Sequence, residues 1–172
     1  MAEVQDDNGL LGGAVSVGDT VTGVFVYDTT AATNGSTTAT TSCDVTTGVG
    51  VVNALDGLTF RSDPNNVNFH LELDRNVKDA AGNTADTFLF GSSTNLPLNS
   101  QATVDRIAWQ VDNPGSTTLQ NHQLPVNTVN LGKWRSVYGL TFEGHDANNQ
   151  DSTYLIRAHL FSISQVPNGT LP

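Results

Sequence analysis

Residues 67–74 read Val-Asn-Phe-His-Leu-Glu-Leu-Asp, with every odd position apolar and every even one polar. A period of two places alternate side chains on opposite faces of a strand, so this run predicts a strand with one buried and one wet face. The pattern recurs. Over 103–112, Ile107, Trp109 and Val111 share a face opposite Arg106 and Gln110; over 137–143, Tyr138, Leu140 and Phe142 fall together. Over 153–163, Tyr154, Ile156, Ala158 and Leu160 oppose Leu155, Arg157, His159 and Phe161, a mixture that predicts a strand covered on much of both faces. Residues 58–61 and 87–90 are shorter candidates, and 49–55 fits either a strand or a helical turn. In 20–27, Val21, Phe25 and Tyr27 face one way with Gly23 between them, and Thr20, Thr22, Val24 and Val26 face the other.

Turn signals separate these runs: Asn8-Gly9, Asn34-Gly35, Asp56-Gly57, Gly82-Asn83 and Asn113-Pro114-Gly115. Helical periodicity is weak throughout. Strands at this spacing predict an all-β chain, a single antiparallel β-sandwich or jelly roll of about seven to nine strands. The expected sandwich domain covers 15–164, with 1–14 as a lead-in segment and 165–172 as a tail. The threonine-rich stretch 29–47 reads as a long surface loop.

Composition changes the picture in two ways. Charged residues are only 14% of the 172, a neutral polar surface of the kind common in exported β-proteins. The 17 acidic residues outnumber the 7 basic ones, giving a net charge of −10 that repels phosphate backbones and anionic membranes. Nucleic acid is therefore not an expected partner, while cations and neutral polymers fit. No apolar run approaches the roughly 18 residues that a membrane-spanning helix needs. The one cysteine, Cys43, can form no internal disulfide and reads as a small, semi-buried thiol. Met1 before Ala2-Glu3-Val4 is expected to be an initiator on a mature N-terminus.

Two loops gather the oxygen donors that calcium takes. One runs 74–86, with Asp74, Asn76, Asp79 and Asp86 as candidate ligands; Lys78 stands where an EF-hand would need an oxygen. The second offers Asp146, Asn148 and Asp151. Both also read as hairpin loops built from turn-forming residues. The 4 histidines share no zinc-binding spacing, and His70 falls on the polar side of its strand. Glutamates are confined to Glu3, Glu72 and Glu143. Glu72 and Glu143 are the pair a jelly-roll glycoside hydrolase could use as acid and nucleophile. An exposed Trp134, beside a polar strand face carrying His70 and Glu72, would make a sugar-binding surface, since aromatic rings offer an apolar face to a sugar. No Gly-x-Ser-x-Gly elbow or glycine-rich phosphate loop is present.

Several stretches line up in one order: VGDTVTGVFVYDT at 17–29, VDRIAWQVDNPGSTTL at 104–119, HQLPVNTVNLGKW at 122–134, YGLTF at 138–142, and a closing YLIRAHLFSI from 154. This order resembles the exported β-rich domains of bacterial PEP-CTERM sorting proteins, over most of 15–164. The chain departs from that pattern at Asn130, where a proline is usual. It also ends on Gln165-Val-Pro-Asn-Gly-Thr-Leu-Pro172 without the sorting tail, which truncation or processing would explain. The resemblance implies a Gram-negative source, export, and a place near exopolysaccharide or biofilm matrix. It implies no shared catalytic residues. The leading expectation is a non-enzymatic secreted or cell-surface protein of matrix adhesion or assembly; separately, unguarded sheet edges can pair between chains, with the uncharged threonine-rich segment as the candidate mediator. A carbohydrate-binding module and a small hydrolase are the alternatives.

Overall fold

The structure is a computed structural model, and it describes residues 1–8, 10–11, 13–27, 40–78, 82–115 and 139–162. Every element among them is a β-strand: β1 (Ala2–Asp7), β2 (Thr20–Val26), β3 (Thr40–Val45), β4 (Gly50–Leu55), β5 (Leu58–Arg61), β6 (Phe69–Lys78), β7 (Thr84–Ser92), β8 (Arg106–Pro114), β9 (Leu140–Asp146) and β10 (Asn149–Leu160). They form a single 10-stranded sheet in the order β3-β6-β7-β8-β9-β10-β1-β2-β4-β5. All its ladders are antiparallel. The all-β expectation is met, with one strand more than the upper end of the range.

The sheet folds back on itself, and aromatic contacts mark the closure. Phe25 on β2 meets the rings of Phe90 on β7 and Trp109 on β8 edge-on, with centroids 5.4 and 5.7 Å apart. Phe60 on β5 stacks on Phe142 of β9 at 4.2 Å. So β2, β4 and β5 lie over β7, β8 and β9, while β10 and β1 carry the sheet from one layer to the other. Rings in these edge-to-face and offset arrangements add about 0.5–1.5 kcal/mol a pair beyond the area they bury. The alternation read from sequence sets the inner face: Phe69, Leu71 and Leu73 on β6 and Ile107, Trp109 and Val111 on β8 are all buried.

One open choice closes and three local readings change. Residues 50–55 form a strand rather than a helical turn. β10 buries Tyr154, Ile156, Ala158 and Leu160, but leaves His159 and Phe161 exposed and Leu155 and Arg157 half-buried, so one of its faces is wet. The lead-in segment supplies β1, which pairs with β10 on one side and β2 on the other. The threonine-rich stretch is not all loop: Thr40–Val45 is a strand at the sheet's edge, with Cys43 and Val45 turned into the core. Residues 28–39 of that stretch lie outside the described ones.

The turn chemistry holds at 56–57, whereas Asn113 and Pro114 of the foreseen Asn-Pro-Gly turn belong to β8, paired with Asp86 and Ala85, and the turn begins only at Gly115. Asp56 and Gly57 have φ of 43° and 83°. Two left-handed residues make the tight hairpin that matches strand twist, joining β4 to β5. Gly144 has a different reason. It sits opposite Tyr154, whose ring and hydroxyl fill the space a side chain would take.

Candidate functional site

The outward face of β3, β6, β7 and β8 collects most of the polar chemistry foreseen for β6. Register aligns its side chains in three cross-strand rows: Thr40, Asp74, Thr87 and Asp112; then Ser42, Glu72, Leu89 and Gln110; then Asp44, His70, Gly91 and Ala108. The rows carry four carboxyl groups and a single imidazole. Thr40 donates to Asp74 at 2.6 Å, and Thr87 and Gln110 both donate to Asp112, at 2.7 and 3.1 Å.

His70 is held from both sides. Its Nδ1 lies 2.9 Å from Asp44 on the neighbouring strand, and its Nε2 lies 3.2 Å from Glu72, two residues along its own strand. The hydrogen bond to Asp44 does most to raise its pKa; Glu72 adds to this, and partial burial opposes it. The Asp74 pKa is also raised, by desolvation first; the Thr40 hydroxyl pulls it the other way, and the nearby Glu72 adds to the rise. With a carboxylate on each ring nitrogen, His70 has no free position from which to take a substrate proton. The same opposition keeps Asp44 and Glu72 from sharing one metal ion through it. Among the described residues, no group of three or more His, Cys, Asp or Glu side chains is arranged to hold a metal.

The calcium candidates have structural occupations. Asp74 and Asn76 belong to β6 and Asp86 to β7, so the foreseen loop is largely paired strand. The ladder shifts register between Asp74 and Val77, where Asn76 takes a φ of 54°. Buried Asp86 accepts the Asn76 amide at 3.0 Å and holds that bulge in place. Asp79 lies outside the described residues. Asp146 accepts the Asn148 amide at 2.8 Å, and Asn149 accepts that of Asp151 at 3.2 Å, the side-chain-to-backbone bonds of a tight β9–β10 hairpin.

Of the sugar-binding candidates, His70 and Glu72 come together on the outward face, and Trp134 lies outside the described residues. The hydrolase pair does not come together. Glu72 pairs across to Leu89 and on to Gln110, whereas Glu143 pairs with Arg106. Ordinary strand dimensions set them about 14 Å apart across the strands and about 13 Å along them, roughly 19 Å in all. Glycosidase carboxyls stand about 5–9.5 Å apart. Glu143 instead faces Arg106 at 3.7 Å, an exposed pair.

A second histidine cluster, which no local pattern in the chain foretells, sits at one end of the sandwich. His145 Nδ1 lies 2.6 Å from Asp105 and 3.0 Å from the Thr103 hydroxyl. Hydroxyl and carboxylate share one ring nitrogen, whereas a nucleophile–base relay needs them on opposite nitrogens. Nearby, a polar cavity of about 350 Å³ lies between Asp63, Asn66, Asn95 and Asp105. Asn95 ties its walls together by donating to the carbonyls of Ser92 and Val104. No family model, curated protein or solved structure matches the chain. Asp44 is the other residue that sequence reasoning misses; it stands in a threonine-rich run whose Cys43/Val45 alternation is the available signal.

Proposed function

We propose that this chain is a non-enzymatic, exported bacterial β-sandwich that works at the cell surface or in extracellular matrix, by adhesion and self-assembly through a sheet edge. One observation carries the reading: the contrast between the two edges. At one, β5 has only 4 residues, and the Leu96 amide bonds the Arg61 carbonyl while Asn95 bridges Ser62. A short, covered edge resists further pairing. At the other, β3 has 6 residues with Asp44 its one charge, and among the described residues it ladders with β6 alone. From Ser42 to Val45 its outer backbone groups are a template for another strand. The low charge content and the PEP-CTERM resemblance support export and a matrix setting.

Light scattering over a range of protein concentrations, with and without calcium, tests this. Average mass should rise with concentration, and Ser42→Glu, which puts a further negative charge on the edge of an acidic face, should keep the protein monomeric. A wild-type monomer at every concentration, in both conditions, would overturn the reading.

A further inference from the structure

Edge pairing would bring two acidic faces side by side, and His70 stands where that repulsion can be switched. The geometry points to a proton gate: the imidazolium of His70, bridging Asp44 on the edge strand to Glu72 on β6, permits a second copy of this chain to pair along β3, and its loss of a proton opposes that pairing. The inference rests on the edge-assembly reading and names its control.

The cluster has the required placement. Asp44 is the charged residue of β3 and lies directly opposite His70 in the β3–β6 ladder. Protonated, His70 donates from both nitrogens, holds the end of β3 onto the sheet and offsets one of two adjacent carboxylates. Neutral, it has one N–H, so it can satisfy only one carboxylate and presents a lone pair to the other. The remaining groups in these three rows add no compensating charge. β6 contributes Glu72 and Asp74; β7 contributes Thr87, Leu89 and Gly91; β8 contributes Gln110 and Asp112. Arg106 shares the outward face of β8, but Glu143 stands opposite it at 3.7 Å and balances its charge. Deprotonation therefore leaves four carboxyl groups on a face that a second copy must approach. Like charges across paired strands are destabilising. The side chain of His70 is 46% exposed, so it exchanges protons with solvent and can be substituted without disturbing the core.

The test is sedimentation equilibrium between about pH 5.5 and 8.5 at constant ionic strength, the range in which histidine titrates. Wild type, His70→Gln, His70→Lys and Ser42→Glu are compared. The wild-type association constant should fall roughly 2- to 30-fold across the range, as expected for one lost charge contact per copy at two equivalent sites. His70→Gln should associate weakly and without a pH step. His70→Lys should associate as well at the top of the range as at the bottom. Hydrogen exchange supplies an independent readout: β3 amides should lose protection above the His70 midpoint and those of β8 should not. If wild type associates equally at both ends and Ser42→Glu is monomeric, edge assembly stands and the gate is wrong. The gate is wrong, too, if His70→Gln keeps the wild-type step, since His122, His145 or His159 would then be responsible. If Ser42→Glu associates like wild type, or wild type stays monomeric throughout, the edge reading falls and the gate with it.

Discussion

Gly144→Ala should destabilise the fold far more than its size suggests. Tyr154 is buried and crosses Gly144 to donate its hydroxyl to the Thr103 carbonyl at 2.6 Å. A methyl group on residue 144 would strike that carbonyl oxygen and meet the Tyr154 ring and hydroxyl at 2.5 Å. Neither neighbour can yield cheaply. The Thr103 amide donates to the His145 carbonyl at 2.9 Å, and the His145 amide donates to the Thr103 hydroxyl at 3.1 Å. Burial, and then the Asp105 charge, keep the phenol protonated at any working pH. Overpacking of this kind costs about 1–3 kcal/mol. Displacing the tyrosine from a buried carbonyl costs about 1–3 more. The stiffer unfolded chain returns about 0.4–1 kcal/mol. The net is a loss of about 2–4 kcal/mol, and at about 2–4 °C per kcal/mol for a domain of this size Tm should fall by about 5–15 °C. Urea unfolding followed by tryptophan fluorescence measures the loss, with an unchanged m-value as the check on two-state behaviour. Part of the clash is with the hydroxyl, so Gly144→Ala should cost less in a Tyr154→Phe background. A loss below about 1 kcal/mol in the wild-type background would refute this packing account.

Three further outcomes follow from the same geometry. Cys43 is buried, and desolvation followed by the Asp44 charge raises its pKa, so a thiol reagent should label it only at the rate of local opening; stoichiometric labelling within seconds in native buffer would contradict that burial. Asp86→Ala strips the acceptor from the Asn76 amide at the β6 bulge and should cost about 1–3 kcal/mol in chemical denaturation, while Asp146→Ala at the exposed hairpin should cost less than half as much. Because the folded pKa of His70 lies above its unfolded value, its contribution to stability is complete below about pH 6.5 and is lost as pH rises through the folded value. His70→Gln should therefore flatten stability against pH in that interval, and an unaltered wild-type slope would assign the effect to another group.

The elements legible in the sequence are those with a wet face. β6 and β8 alternate cleanly because one side meets water, and their inner residues follow from that alternation down to Trp109. β3 is hidden because threonine serves both faces of a strand and composition then reads as loop; only Cys43 and Val45 betray it. β1 is hidden because Ala2 and Val4 are small and the strand ends in Asp6 and Asp7. The site is legible in half. His70 and Glu72 share a strand face, and local spacing reveals that. Asp44 reaches His70 through strand pairing between distant segments, as His145 reaches Asp105, and no local pattern encodes which strands become neighbours.

The Met1 amine donates to the Ser162 carbonyl at 2.6 Å, and Ala2 pairs with Leu160, so both flanks of the described chain leave from one spot in the middle of the sheet. This arrangement determines how the molecule bears load. Tension applied through the two flanks pulls β1 and β10 apart from one end, breaking their pairs in succession rather than all together in shear. The tear would open between β10 and β1, where the sheet passes from one layer to the other, and would bare Val4 and Ile156. A sandwich tethered by one flank alone is spared that path, with any pull through β3 then carried across the rows of the sheet.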